Sequence, residues 1–413
     1  MKFRTNSIDG SACLPWHFPA IVSRYPAKGR SDQNRSALDV MGLLIIASFL
    51  LMGLAGCSPP PAEMIHLRGE TMGTTYSVKV INDGAESAIT SLSSAETLGP
   101  LSAETLGPLT AKTLGPLSTE TLGPLSAKTL GPRIDNRLVE LNQVFSTYIV
   151  DSELSVLNRS SGTIPVTQEL HRVLRLAWDV YALSEGAFDV TVGPLVNLWG
   201  FGPDGPASGV PGDAEIERAK ANVGLHRLVL GSDSITKPAN ISIDLSSLAK
   251  GYAVEDIARL LEAAGATRYL VEIGGEVKAM GNNMRGGPWR IGVETPDITT
   301  RRIQKVLPIK DSAMATSGDY RNFFEADGQI YSHTLDPATG KPVVHGLASV
   351  TVLDIDAGFA DAIATAFLVM GIEKTMVLAK EKNLRVLAIL RHGPDEFEEI
   401  YSPAMQQYLR EHQ

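Results

Sequence analysis

Apolar and polar positions alternate over Thr75–Ile81, with Tyr76, Val78 and Val80 on one side. A period of two predicts a strand with one buried face. Tyr269–Ile273, Trp289–Val293 and Ser349–Leu353, rich in β-branched and aromatic residues, predict further strands. Ile134, Leu138, Leu141 and Phe145 recur at helical spacing. Thr167 is placed to cap a second helix that buries Leu170, Leu174, Ala177 and Tyr181. Ala360–Met370 and Glu373–Lys382 predict two more helices. Strands and helices are mixed without strict alternation, and no second linker separates them. The expectation is a single α+β (mixed α/β) domain over 65–413.

One segment breaks the pattern. Residues 92–132 repeat an octapeptide ending in Leu-Gly-Pro, from LSSAETLGP to LSAKTLGP. The period is shorter than any helical solenoid unit. Proline in every unit predicts that no helix propagates through it, leaving a low-complexity surface insertion. Function is expected elsewhere in the chain.

The N-terminal region carries a different signal. Val40–Gly56 is an apolar run of 17 residues preceded by Arg24, Lys28, Arg30 and Arg35. It is short for a membrane span and fits a secretory signal, with an uncleaved signal anchor as the alternative. LAGC at Leu54–Cys57 resembles the bacterial lipobox, which makes Cys57 the expected lipidated N-terminus. Ser58-Pro59-Pro60-Pro61 then forms a stiff tether over 57–64. With only Cys13 and Cys57 in the chain, neither a disulfide framework nor a cysteine metal site is expected. After residue 56 the chain holds 31 basic and 43 acidic side chains, a net charge of −12. That balance argues against a nucleic-acid partner. Binding an anionic phosphate would require a metal or local donors.

Several segments carry candidate chemistry. Asp361 and Thr365, four apart on a predicted helix, share a face. Such oxygen donors suit Mg²⁺ or Ca²⁺; the alternative is an acid near a helix N-terminus and a threonine bonded to the preceding turn. Asp244, Ser247 and Lys250 lie where a strand meets a helix, a place that offers N–H groups to an anion or simple caps. Asp189, in GAFDVTVGPL, lies among apolar residues and needs a partner. Tyr148 could stack on a planar ligand or pack in the core. In YSHTLDPATG, His333 precedes an Asp336-Pro337 turn, as a proton-transfer group or as the polar end of a strand.

The order of these segments is more informative than any one of them. MGTTY, FSTY with SELS, GAFDVTVGPL, DLSSLAKGY, LVEIGGE, ATSGDYRNFF, YSHTLDPATGKP and ADAIATA together resemble the ApbE family of flavin transferases, over about 70–392. The resemblance implies a T-fold-related domain with a low-complexity loop insertion. It implies Mg²⁺-dependent transfer of FMN from FAD to a Thr or Ser of a target protein, releasing AMP. Some members instead act mainly as FAD pyrophosphatases, and a non-catalytic flavin-binding lipoprotein is the reading from another class. Carried over by position, Asp361, Thr365 and the carbonyl of Ala249 are metal ligands. Met72, Tyr148, Ala187, Phe188, Asp189, Asp244, Ser247 and Lys250 line the FAD site, and His333 is catalytic. The implied location is the periplasmic face of a bacterial membrane, through a lipid anchor. The implied acceptors carry a Gly-Ala-Thr/Ser type site and belong to membrane redox pumps. Gly265-Ala266-Thr267 is a conceivable self-target, although it lacks the usual acidic and glycine context.

Overall fold

The computed structural model describes residues 62–83 and 125–412, apart from 208, 298–299, 327 and 394. Cys57, the apolar run, most of the tether and the repeat through 124 lie outside the described residues. Eight strands form one antiparallel sheet: β1 (Glu63–Thr71), β2 (Thr74–Asn82), β3 (Tyr269–Ile273), β4 (Glu276–Met280), β5 (Ser312–Gly318), β6 (Leu347–Asp354), β7 (Arg385–Arg391) and β8 (Phe397–Tyr401). They lie side by side in chain order. Between β2 and β3 the chain makes helices α1 (Ala127–Phe145), α2 (Glu153–Arg159), α3 (Gln168–Leu183), α4 (Gly193–Leu198), α5 (Asp213–Lys220) and α6 (Ala249–Ala263). Helix α7 (Ala357–Glu381) joins β6 to β7, and α8 (Pro403–His412) ends the described chain.

Both faces of the sheet are covered, and the strand period divides their side chains accordingly. Tyr76, Val78 and Val80 of β2 enter the main core with Tyr269, Val271 and Ile273 of β3, beneath α1, α6 and α7. Leu270, Val277, Met314, Leu387 and Ile389 point the other way, against Trp289 and Leu307 of the 289–294/303–309 hairpin and Met405 and Tyr408 of α8. A strand buried on both sides reads as a continuous apolar run, as RVLAILR does in β7. The first half of helix α7, through Leu368, is apolar for the same reason. Helix α7 is two helices joined at Gly371, whose φ of 76° and ψ of 170° leave the helical region. That break matches the two helices expected on either side of residues 371–372.

The repeat differs from expectation at its last unit. Helix α1 begins at Ala127 and runs through Gly131 and Pro132. Ser126 caps it, its hydroxyl accepting the Thr129 N–H at 3.2 Å, and Leu130 is buried against the main core. The first four N–H groups of a helix have no partner inside it, so Pro132 forfeits only a bond just past that first turn. Burial of Leu130 and Ile134 offsets that loss. The rule that Gly-Pro stops a helix therefore fails for this unit.

Candidate active site

Two hairpin tips and a helix entrance meet at one end of the sheet. The β1–β2 turn is Met72-Gly73, with φ of 50° and 70°. Positive φ at both central positions is the hairpin geometry that favours Asn-Gly, so Met72 holds a strained backbone. The β3–β4 turn is Gly274-Gly275, with φ of 60° and 107°. A Cβ on Gly274 would stand 2.9 Å from the Thr74 methyl and 3.1 Å from Lys250 Cδ, so glycine is what lets the two tips and Lys250 come together.

Helix α6 enters at this end. Ala249 is its first residue, and the Gly251 N–H donates to Asp361 Oδ2 at 2.9 Å. A Cβ on Gly251 would fall 2.3 Å from the Ala357 carbonyl oxygen and 2.6 Å from Asp361 Cβ. The glycine thus sets how closely α6 and α7 cross, and it places the Asp361 carboxylate at the α6 entrance. The buried carboxyl of Asp361 is pushed up by burial and by Glu276, against the Lys250 ammonium and the Gly251 N–H. One turn along α7, the Thr365 hydroxyl is 2.9 Å from that of Ser317 on β5. Among the described residues no three His, Cys, Asp or Glu side chains cluster to hold an ion. A cation here would draw on one carboxylate, one hydroxyl and main-chain oxygen. A buried carboxylate beside a hydroxyl fits a hard divalent ion such as Mg²⁺.

Lys250 is not a free cation. Its Nζ lies 3.1 Å from Glu276 Oε1 and 3.9 Å from Asp361 Oδ2. Asp244 accepts the Ser246 N–H at 2.8 Å, the local capping arrangement, and its own N–H donates to the Val190 carbonyl at 2.7 Å. Ser247 is half-buried in the same entrance loop. Asp189 differs from the expected ligand-lining acid. Its two carboxylate oxygens accept from the Thr191 N–H and hydroxyl and from the Leu225 N–H, so it fastens the 186–195 loop. Phe188 also differs, because its ring is in the main core and leaves only backbone, beside the half-buried Ala187, for a ligand.

A cavity of about 200 Å³ opens beside Asp244, lined also by Thr147, Asn158, Arg159, Asn197 and Ser242. Asn197 Oδ1 is buried beside it without a hydrogen-bond partner, close against Gly202. Tyr148 follows Thr147 of the cavity lining and has 68% of its surface exposed, which removes the core-packing reading. The Tyr148 hydroxyl is 3.5 Å from the Phe201 carbonyl, and the Phe201 ring meets His333 edge-on at 6.2 Å. His333 is partly buried, with Nδ1 3.0 Å from the Asn322 carbonyl oxygen and its own N–H donating to the same oxygen. The expected turn is present: Asp336 accepts from the Ala338 and Gly340 N–H groups. Gly265-Ala266-Thr267 is the C-terminal cap of α6, where the Gly265 and Ala266 N–H groups return to Glu262 and Leu261.

Sequence reasoning missed Gly251, Glu276, Ser317 and Asn322 as members of this arrangement. Gly251 left a local signal, as an isolated glycine within a helical pattern, while Glu276, Ser317 and Asn322 lie inside the segments LVEIGGE and ATSGDYRNFF without a pattern that singles them out. The other three act through contacts between distant segments.

Residues 72–390 match the model of the ApbE family. The chain is 40% identical to the FAD:protein FMN transferase of Vibrio cholerae, over 89% of this chain and 98% of that protein. It is 36% identical to that of Haemophilus influenzae, over 84% and 92%. Among solved structures, the flavin transferase ApbE from Vibrio cholerae superposes with a TM-score of 0.70 at 38% identity, covering 84% of this chain and all of that one. The apo flavinyl transferase ApbE of Pseudomonas stutzeri gives 0.69 at 32% identity, over 86% and 99%. A family model spanning most of the chain, relatives similar over most of their length and solved structures of the same fold agree, and the chain is a member of the ApbE family.

Proposed function

We propose that this chain transfers FMN from FAD to a Thr or Ser hydroxyl of an acceptor protein and releases AMP. The observation that carries the reading is the polarity of His333: its Nδ1 faces a carbonyl oxygen, so Nε2 is left as an acceptor. The acceptor oxygen attacks the FMN-side phosphorus of FAD, the bond from that phosphorus to the AMP oxygen breaks, and the hydroxyl proton passes to His333 Nε2. Tyr148 stacks on the flavin or adenine ring, and Asp244 and the 186–190 backbone orient the substrate. Asp361, Thr365 and the Ala249 carbonyl would hold Mg²⁺. Bound there, Mg²⁺ neutralises charge on the breaking phosphoanhydride.

Incubating the protein with FAD, Mg²⁺ and a peptide of the Gly-Ala-Thr type tests this reading by mass. The expected product is peptide bearing FMN as a phosphoester, with equimolar AMP. Free FMN and AMP over unmodified peptide would make it a pyrophosphatase instead, and unchanged FAD would make it a binding protein. The acceptors we propose are subunits of membrane redox pumps, reached from the periplasmic face of a bacterial membrane. Cys57, behind LAGC, is the proposed lipid anchor. Cys57→Ala should release soluble protein or block processing, and unchanged membrane attachment would exclude the anchor.

A further inference from the structure

Glu276 has no role in the reading above, yet its carboxylate is nearly inaccessible, with 5% of the side chain exposed. Oε1 pairs with Lys250 at 3.1 Å, while Oε2 is buried without any partner. A buried carboxylate oxygen without a donor is costly and calls for an explanation. Lys250 supplies one. Its ammonium stands between two acids, at 3.1 Å from Glu276 and 3.9 Å from Asp361. Asp361 is the only carboxylate among the proposed metal ligands. An ammonium that closed fully on Asp361 would compete with a divalent cation for the same oxygens.

We infer that Glu276 is a positioning residue that holds the Lys250 ammonium off Asp361 and so keeps that carboxylate available to Mg²⁺. The inference rests on the proposed metal role of Asp361. With Glu276 charged, the three side chains Asp361, Glu276 and Lys250 sum to −1, which attracts a cation; without it they sum to zero. The unpartnered Oε2 leaves Glu276 room to take more of the ammonium when a cation displaces Lys250 from Asp361. The Gly274-Gly275 turn fixes this geometry, because Glu276 follows it directly and Gly274 packs against the Lys250 stem.

The test is calorimetric titration of Mg²⁺ alone into the purified protein, with no turnover involved. Glu276→Gln keeps an acceptor for Lys250 and removes the charge, and should weaken Mg²⁺ binding at least about tenfold. Glu276→Asp keeps the charge but withdraws it by one methylene, and should lie between Gln and wild type. The Asp variant carries the test by itself if the Gln variant does not fold. Wild-type Mg²⁺ affinity in a folded Gln or Asp variant overturns the inference while leaving the metal reading intact. Unaltered Mg²⁺ binding in Asp361→Ala overturns the metal reading itself, and the inference with it.

Discussion

His333 Nδ1 lies 3.0 Å from the main-chain oxygen of Asn322, an atom that can only accept, so in the neutral ring the proton sits on Nδ1 and Nε2 is left as the acceptor. The tautomer is set by the fold before any substrate arrives. Burial lowers the ring's pKa from the ordinary histidine value and the Lys250 ammonium adds to this, against the Asn322 hydrogen bond and the Asp319 carboxylate. Neutral imidazole with a free Nε2 is the form that a general base requires.

His333→Asn should therefore keep the fold and the affinity for FAD while losing transfer by ~10²–10⁴-fold. The residual rate should climb as pH rises, because hydroxide can replace the missing base. Native transfer rates in the variant, or failure to fold, would return His333 to a structural role.

In the wild type, the sign of the shift places the acid limb of kcat/KM below the unperturbed value of about 6.5, with a plateau above it. The same shift affects stability. Below about 6.5 the unfolded chain takes up the proton first, so this group's contribution falls as pH drops toward the folded pKa. A pH–rate profile with its acid limb centred above the free-histidine value would contradict the assignment.

Asp361→Ala removes the carboxylate at the α6 entrance, and Mg²⁺-dependent release of AMP from FAD should fall to background. Since Gly251 then keeps an N–H without its acceptor at a crossing where no side chain fits, some stability should go too, ~1–3 kcal/mol. Thermal melts alongside AMP assays separate the two effects, and full activity with an unchanged Mg²⁺ requirement would remove Asp361 from the centre.

The repeat gives a test of register. In the last unit Ser126 caps α1 and Leu130 is buried, and Ser94 and Leu98 stand at the equivalent places in the first unit. Deleting Leu101–Pro132 removes four whole octapeptides and puts Ser94 and Leu98 in their places before Arg133, so melting temperature and transfer should stay close to wild type. Deleting Leu101–Gly131, one residue fewer, shifts leucine out of its core position and should cost ~2–5 kcal/mol. Equal melting temperatures for the two deletions would show that the helix start does not depend on register.

How much of this was legible depended on whether one segment decides the outcome. Tyr76, Val78 and Val80 face a single core and alternate plainly, so β2 was readable. β5 and β7 are buried on both faces, which erases the alternation, and neither was found from the pattern. β1 was missed because its apolar side is thin, with Ile65 and Thr71 the buried positions. Asp361 and Thr365 could be placed on one helix face from spacing alone. That α6 would bring Gly251 against them follows from packing between residues 110 apart, which no local pattern carries. The acid in GAFDVTVGPL was read as needing a partner, and it has three donors, all inside the protein.

Asn158 offers the last test, because it links the cavity wall to the helix entrance. Its side chain makes both main-chain bonds of Ile243, accepting the N–H and donating to the C=O, each at 2.8 Å. Its own carbonyl accepts from Lys237, a buried ammonium that also reaches the carbonyls of Pro238 and Ile241. The segment carrying Asp244 is thereby held against α2. Asn158→Ala leaves the Ile243 N–H and C=O unpaired in a buried place, which costs ~1–3 kcal/mol for each group that water does not reach. Because Asp244 is the next residue and borders the cavity, the KM for FAD should rise severalfold while kcat at saturation changes little. A lowered melting temperature with an unaltered KM would mean that Asn158 supports the fold without orienting the substrate.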